Sequence, residues 1–87
     1  MRVKVRFVPR RVAEYFDSKE VDVIELPEGS RYCDLIEFLE RRFRGSPEES
    51  ILDSFAFICG GVPVLRKLHE PINPGEEILV VTMAIGG

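Results

Sequence analysis

The sequence is poor in the residues on which several large classes of protein depend. Among its 87 residues it has no tryptophan, one histidine and two cysteines. Two cysteines are too few for a disulfide-stapled scaffold, and the single histidine, His69, has no partners with which to complete a catalytic triad or a four-ligand metal site. We therefore interpret Cys33 and Cys59 as packed, reduced thiols and expect no metal centre.

A basic excess and a long apolar run are also missing. The 12 Lys and Arg residues stand against 15 Asp and Glu residues, for a net charge of -3, which argues against a partner with a phosphate backbone. No apolar run approaches the roughly 18 residues of a membrane span, and Met1 leads directly into strand-like alternation instead of a signal peptide. We expect no nucleic-acid partner, no membrane partner and a cytoplasmic location.

What the sequence does contain suits one small folded domain. Hydrophobic residues make up 45% and charged residues 31% of the chain, a balance typical of folded proteins. Because a chain this short cannot divide its apolar residues between two cores, we predict a single domain over residues 1–87. Its C-terminal tail, from about residue 84 to residue 87, is expected to be flexible.

The first half of the chain predicts a hairpin followed by a helix. Alternation of apolar and polar residues over 2–8 and 21–26 predicts two strands, with a short helical turn over 10–16 between them. The inward residues are Val3, Val5 and Phe7 in the first strand and Ile24 and Leu26 in the second. Ser30 is the predicted N-cap of an amphipathic helix that ends near Gly45. Its apolar stripe consists of Tyr32, Leu35, Ile36, Leu39 and Phe43.

The second half predicts a hairpin and a last, strongly apolar strand. Gly60 and Gly61 supply a tight turn between strands at 55–59 and 62–65, and Pro63 marks the second of these as an edge strand. A type II turn at 73–75 precedes a strand over 77–83 that is apolar on both faces. The order strand, strand, helix, strand, short strand, strand predicts an α+β chain of β-grasp type, in which one main helix covers one face of a mixed sheet.

The last two residues carry the strongest functional signal. The acidic pairs at 48–49 and 76–77 are interpreted as solvated charge, since no apolar pocket is implied around them. In contrast, two glycines at the last two positions occur by chance in roughly 0.5% of chains at average glycine usage. A tail without side chains can thread a narrow channel, and its carboxylate, a poor electrophile, would need activation before a nucleophile takes the carbonyl. Gly87 is therefore the predicted reacting residue, with Gly86, Ile85 and Ala84 as the tail that enters the channel.

The last strand also predicts a docking surface. If Ile78 and Val80 point into the core, alternate residues of the same strand lie on the face that the helix leaves uncovered. The predicted partner-binding residues are Leu79, Val81 and Met83, with Lys4 and Arg6 of the first strand beside them. The alternative at this point is that a second copy of the chain covers the same face.

Three features together resemble the small subunit of molybdopterin synthase and the similar sulfur carrier of thiamin biosynthesis. They are the Leu-Pro-Glu-Gly-Ser entry to the helix at 26–30, the Pro-Ile-Asn-Pro-Gly-Glu-Glu-Ile segment at 71–78, and the apolar strand that leads to the terminal Gly-Gly. The chain is thus identified by resemblance as a ubiquitin-like sulfur carrier.

The resemblance implies a carrier protein and not an enzyme. A ubiquitin-activating-enzyme-like partner would adenylate Gly87 with ATP, a sulfurtransferase or cysteine desulfurase would convert it to a thiocarboxylate, and the large synthase subunit would use its sulfur to make molybdopterin. No cofactor is expected on the chain itself. Sulfur carriers for thiamin or tRNA thiolation and ubiquitin-like protein modifiers share the tail and stay open. A β-grasp interaction module with an incidental Gly-Gly is the alternative of another class.

Overall fold

A computed structural model describes residues 1–45, 48 and 50–83 of the chain. Its strands are β1 (Arg2–Val8), β2 (Val21–Glu25), β3 (Phe55–Cys59), β4 (Val62–Pro63) and β5 (Glu77–Thr82). Its α-helices are α1 (Tyr32–Arg42) and α2 (Ile51–Ser54), and two 3₁₀ helices span Arg10–Phe16 and Val64–Lys67. No helix in these ranges is long and apolar enough to cross a membrane.

The five strands form one mixed sheet in the order β2-β1-β5-β3-β4. The first and last strands are parallel central neighbours, and the other neighbouring pairs are antiparallel. A central strand is covered on its inward side by the helices, which explains why β5 and β1 have their most apolar residues there. The predicted β-grasp arrangement is confirmed.

The inward residues of the sheet were predicted correctly from alternation. In β1, Val3, Val5 and Phe7 are fully buried. Ile24 in β2 and Leu26, just after the end of β2, are also buried. The helix stripe is buried from Tyr32 to Leu39, whereas Phe43 follows the end of α1 and is only partly buried.

The predicted N-cap of the helix was wrong by one residue. Ser30 turns its hydroxyl back to donate to the Pro27 carbonyl at 2.6 Å, and Arg31 is the N-cap instead. The Asp34 carboxylate accepts from the Arg31 N–H at 2.8 Å, which satisfies one donor at the helix start. The next two N–H groups, of Tyr32 and Cys33, donate to carbonyls of residues 70 and 68, so tertiary contacts fix this helix start.

Two details of the second half also differ from prediction. The arm after the hairpin pairs over only two residues, because the chain turns into a 3₁₀ helix at Val64. The turn at 73–75 is not type II, because Gly75 lacks the positive φ which that turn requires. Asn73 closes it instead, accepting from the Gly75 N–H through its side chain and from the Glu76 N–H through its carbonyl.

Gly61 is expected to tolerate alanine poorly. Gly60 and Gly61 form the two-residue hairpin loop with φ of 58° and 77°, as a type I′ turn requires. A Cβ on Gly61 would meet no atom within 4 Å, so the penalty is backbone strain alone. Gly61→Ala should lower the free energy of unfolding by about 1 kcal/mol. Urea titration checks this against Gly75→Ala, which lacks a positive φ; equal effects of the two variants would contradict the turn assignment.

Candidate docking face and C-terminal tail

The face of the sheet that α1 leaves uncovered, here called the outer face, bears the predicted docking residues. Ile78 and Val80 are fully buried, whereas Leu79 and Val81 are partly exposed and Met83 is 39% exposed. The alternation in β5 therefore has the predicted direction. Whether these residues bind a partner remains a proposal.

The strand register extends this surface onto β1 and β3. Val81 lies between Val8 and Ala56, and Leu79 lies between Arg6 and Ile58. We define the apolar patch as the outer-face residues Val8, Ala56, Ile58, Leu79, Val81 and Met83. Of these, Val8, Ala56 and Ile58 were missed from the sequence. The alternation of Ala56 and Ile58 with buried Phe55, Phe57 and Cys59 was the signal that could have found the two in β3.

The other end of the outer face is charged and internally paired. Glu77, which the sequence suggested was merely solvated, accepts from Arg6 at 2.8 Å and lies 3.3 Å from the Lys4 ammonium. On the other side of β1 from β5, Lys4 pairs with Val23 of β2, which is 53% exposed. The two predicted basic docking residues are thus on the expected face, but each already has an acidic neighbour within the chain.

These ion pairs predict a pH dependence. The hydrogen bond from Arg6, together with the Lys4 ammonium, holds the pKa of the Glu77 carboxyl below its usual range. A lowered folded-state pKa contributes stability above the unfolded-state pKa of about 4.3, and that contribution is lost as the pH falls through the folded-state pKa. Glu77→Gln removes the titrating group, so its melting temperature should fall less on acidification than that of the wild type. Melting curves at a series of pH values check this; parallel acid limbs would show that the pairs contribute nothing, as exposed pairs often do.

A groove lies at the edge of the apolar patch, where β4 pairs with only Ile58 and Cys59 of β3. It has a volume of about 280 Å³. Its lining includes Leu52, Ala56, Ile58, Pro63, Leu65 and Met83. We call it the edge groove. Leu65 in its wall is 57% exposed, so the described residues leave the groove open to solvent.

A partly buried polar network links the segment before β5 to the end of β3. The Cys59 thiol donates to the Glu76 carboxylate at 2.7 Å and lies 3.4 Å from the Tyr32 hydroxyl. The Lys67 ammonium lies 3.9 Å from the same carboxylate. Burial, and then the hydrogen bond to Glu76, raise the pKa of the Cys59 thiol, so it stays protonated and a poor nucleophile. Glu76 is thus a structural partner, not solvated charge as the sequence suggested.

The two cysteines have the predicted character. Cys59 is fully buried and Cys33 partly buried, and both are unpaired thiols. No group of three or more potential metal ligands occurs in the part of the chain that the structure describes. The predicted reacting tail, with Ala84, Ile85, Gly86 and Gly87, lies outside the described residues.

The sheet order and the helix on one face define a β-grasp protein whose outer face bears an apolar patch. No protein-family model and no curated protein matches the sequence. Among solved structures, the chain is similar to one described as "putative molybdopterin converting factor, subunit 1" from Pyrococcus furiosus. The similarity has a TM-score of 0.73 and 26% sequence identity, over 97% of this chain and 99% of the other. It confirms the β-grasp fold and the resemblance to the ubiquitin-like sulfur carriers.

Proposed function

We propose that the chain is a sulfur carrier in molybdopterin biosynthesis, with Gly87 as the residue that is adenylated and thiocarboxylated. The observation that carries the proposal is the similarity, over nearly the full length of both chains, to a structure described as a molybdopterin converting factor subunit. The terminal Gly86-Gly87 supports it from the sequence. The other carriers and the protein modifiers share this tail, so it is the similarity that favours the molybdopterin pathway over thiamin synthesis, tRNA thiolation and protein modification.

The geometry of the outer face suits delivery of the tail to another protein. The row Leu79, Val81 and Met83 runs along β5 toward residue 84, so a partner that covers the apolar patch lies where the tail begins. Burial of this patch supplies affinity. The tail itself then needs only to be narrow, which two glycines ensure.

The chemistry begins with two substitutions, the first at the α-phosphorus of ATP and the second at the acyl carbon of Gly87. A carboxylate oxygen attacks the α-phosphorus of ATP on an activating partner, pyrophosphate leaves, and an acyl-adenylate forms. The terminal sulfur of a persulfide on a sulfurtransferase or cysteine desulfurase then attacks the acyl carbon, AMP leaves, and an acyl disulfide forms. A thiol cleaves the S–S bond of this acyl disulfide, which releases the thiocarboxylate and leaves the thiol in a disulfide with the sulfur donor. ATP is thus a substrate of the activating partner, and the chain itself is a non-catalytic carrier that acts in the cytoplasm.

Reconstitution tests the pathway. Chain thiocarboxylated in vitro should transfer sulfur to the pterin precursor in the presence of a large synthase subunit, and should not yield the thiazole of thiamin or thiolated tRNA with the corresponding enzymes. Transfer to either of the latter acceptors, without transfer to the pterin precursor, would assign the carrier to a different pathway.

Neither cysteine is expected to take part in sulfur transfer. The sulfur is bound to the terminal acyl group, and Cys59 is buried against Glu76. Cys33→Ser and Cys59→Ser should therefore transfer sulfur at the wild-type rate, measured as thiocarboxylate consumed in single-turnover reactions. A circular-dichroism spectrum of each variant provides the control for folding. Loss of transfer in a folded variant would place that thiol in the mechanism.

A further inference from the structure

We propose that the outer face docks on a partner protein that presents acidic side chains beside an apolar surface, and that Lys4 and Arg6 attract those acidic side chains. The inference deepens the proposed function, on which it rests for the identity of the partner. It concerns the charge of the partner's surface and the rate at which the two proteins associate.

The outer face is positively charged, although the chain as a whole is negatively charged. The charged strand residues on this face alternate with buried residues of the same strands. They are Arg2, Lys4, Arg6, Glu25 and Glu77. Three positive and two negative side chains give the face a net charge of +1, whereas the whole chain has -3, so the remaining residues have -4. An acidic surface is therefore attracted to the outer face and repelled by the rest of the molecule.

Lys4 and Arg6 are the cations of this face that the chain neutralises least. Arg2 has a carboxylate of its own in β2, 2.8 Å from its Nε. In contrast, Lys4 and Arg6 share the single carboxylate of Glu77, at 3.3 and 2.8 Å, and Glu20 adds only a weaker attraction for Arg6. The Lys4 and Arg6 side chains are 52% and 40% exposed. Two accessible cations thus face one close carboxylate.

These cations lie directly beside the apolar patch. In the register of β1 and β5, Arg6 is opposite Leu79, which belongs to the patch, and Lys4 is opposite Glu77. A partner that covers the patch therefore brings its adjoining surface over Lys4 and Arg6. Carboxylates on that surface would complete the neutralisation that Glu77 begins, whereas cations there would be repelled.

The charge distribution also distinguishes between possible occupants of the face. A second copy of the chain would bring two faces of the same sign together, which is unfavourable. A nucleic acid would have to approach a chain of net charge -3, and a face of this small positive charge neutralises few phosphates. A folded protein with a local acidic surface meets neither obstacle.

Association kinetics of charge-neutralised variants test the proposal, with the activating enzyme and the large synthase subunit as probes. Glu77→Gln leaves both cations free and should raise the association rate about two- to fivefold at low salt. Lys4→Gln should lower the rate by a similar factor, as expected for a unit charge about 4 to 10 Å away in water. Both effects should disappear near 1 M salt, where the screening length is about 3 Å. A purely structural role cannot give opposite signs, because both substitutions break the same ion pair.

Glu37→Gln and Arg41→Gln are the matched controls. These residues form an exposed pair on α1 at 3.1 Å, and α1 packs on the other face of the sheet. The two substitutions change the net charge of the chain by the same amounts as Glu77→Gln and Lys4→Gln, but should leave the association rates near the wild-type value. Thermal melts of all four variants verify that they fold, as expected because exposed ion pairs contribute little to stability.

Each outcome decides the matter. Opposite, salt-sensitive changes for Glu77→Gln and Lys4→Gln support the proposal. Wild-type rates for both, or equal effects of Glu77→Gln and Glu37→Gln, would overturn it. A wild-type chain that binds neither probe would also overturn it, and sedimentation of that chain as a dimer would assign the face to a second copy.

The proposed function is tested separately, by sulfur transfer. Unchanged association rates in the variants leave that function intact, because they concern only how the partner is attracted. A chain that never transfers sulfur would refute the function without altering the measured rates.

Discussion

Deletion of Gly87 is expected to abolish activation of the chain while its melting temperature stays at the wild-type value. The reacting carboxylate would be displaced by one residue, about 3.5 Å, from the position at which it meets the α-phosphorus of ATP. A displacement of about 1 Å can already cost a hundredfold in rate. ATP–pyrophosphate exchange with an activating enzyme measures the effect directly.

The opposite change provides the control for Gly87. One alanine added after it keeps both glycines but moves the carboxylate outward by one residue, so this variant should be equally inactive. If either variant exchanged pyrophosphate at the wild-type rate, the terminal carboxylate would not be the reacting group.

Val81→Asp is expected to weaken partner binding far more than it weakens the fold. Val81 lies at the centre of the apolar patch, between Val8 and Ala56, and a carboxylate there is solvated in the isolated chain. In a complex it would be buried without a partner, because Arg6 and Lys4 are paired with Glu77. Such burial costs on the order of 3 kcal/mol, a loss of roughly two orders of magnitude in affinity.

Val23→Asp is the matched control for Val81→Asp. It places the same charge on the same face, at a residue outside the apolar patch, and should change affinity little. Binding titrations and thermal melts of both variants decide between the alternatives. A collapsed melt for Val81→Asp would mean that the outer face is packed within the fold, and equal affinities for both variants would show that the patch is not the docking surface.

Alternation and helical spacing were sufficient to predict the fold because they depend only on neighbours along the chain. The inward residues of β1 follow from strict alternation of apolar and charged residues, and the stripe of α1 follows from its period. The last strand is apolar on both faces, so its pattern placed Leu79 and Val81 on the outer face only on the assumption that Ile78 and Val80 are inward, as they are. The hairpin turn was predictable because Gly60 and Gly61 supply the positive φ that few other residues adopt.

The errors concern features that tertiary contacts determine. Ser30 had the composition of an N-cap, but carbonyls of residues 68 and 70 accept from the first helical N–H groups and move the start to Tyr32. Glu76 and Glu77 appeared equivalent in the sequence, yet one is bonded to Cys59 and the other to Arg6. Such partners lie 17 and 71 positions away in the chain, beyond the range of any local pattern.

The central claim is that sulfur is carried on the Gly87 carboxylate, and intact-mass spectrometry of the chain purified from its own host tests it most directly. The account predicts a fraction of molecules heavier by the difference between one sulfur and one oxygen atom. That increment should map to the C-terminal peptide and should disappear after alkylation-coupled hydrolysis of the thiocarboxylate. A chain that is never heavier in this way, or one found only in covalent linkage to other proteins, would contradict the claim.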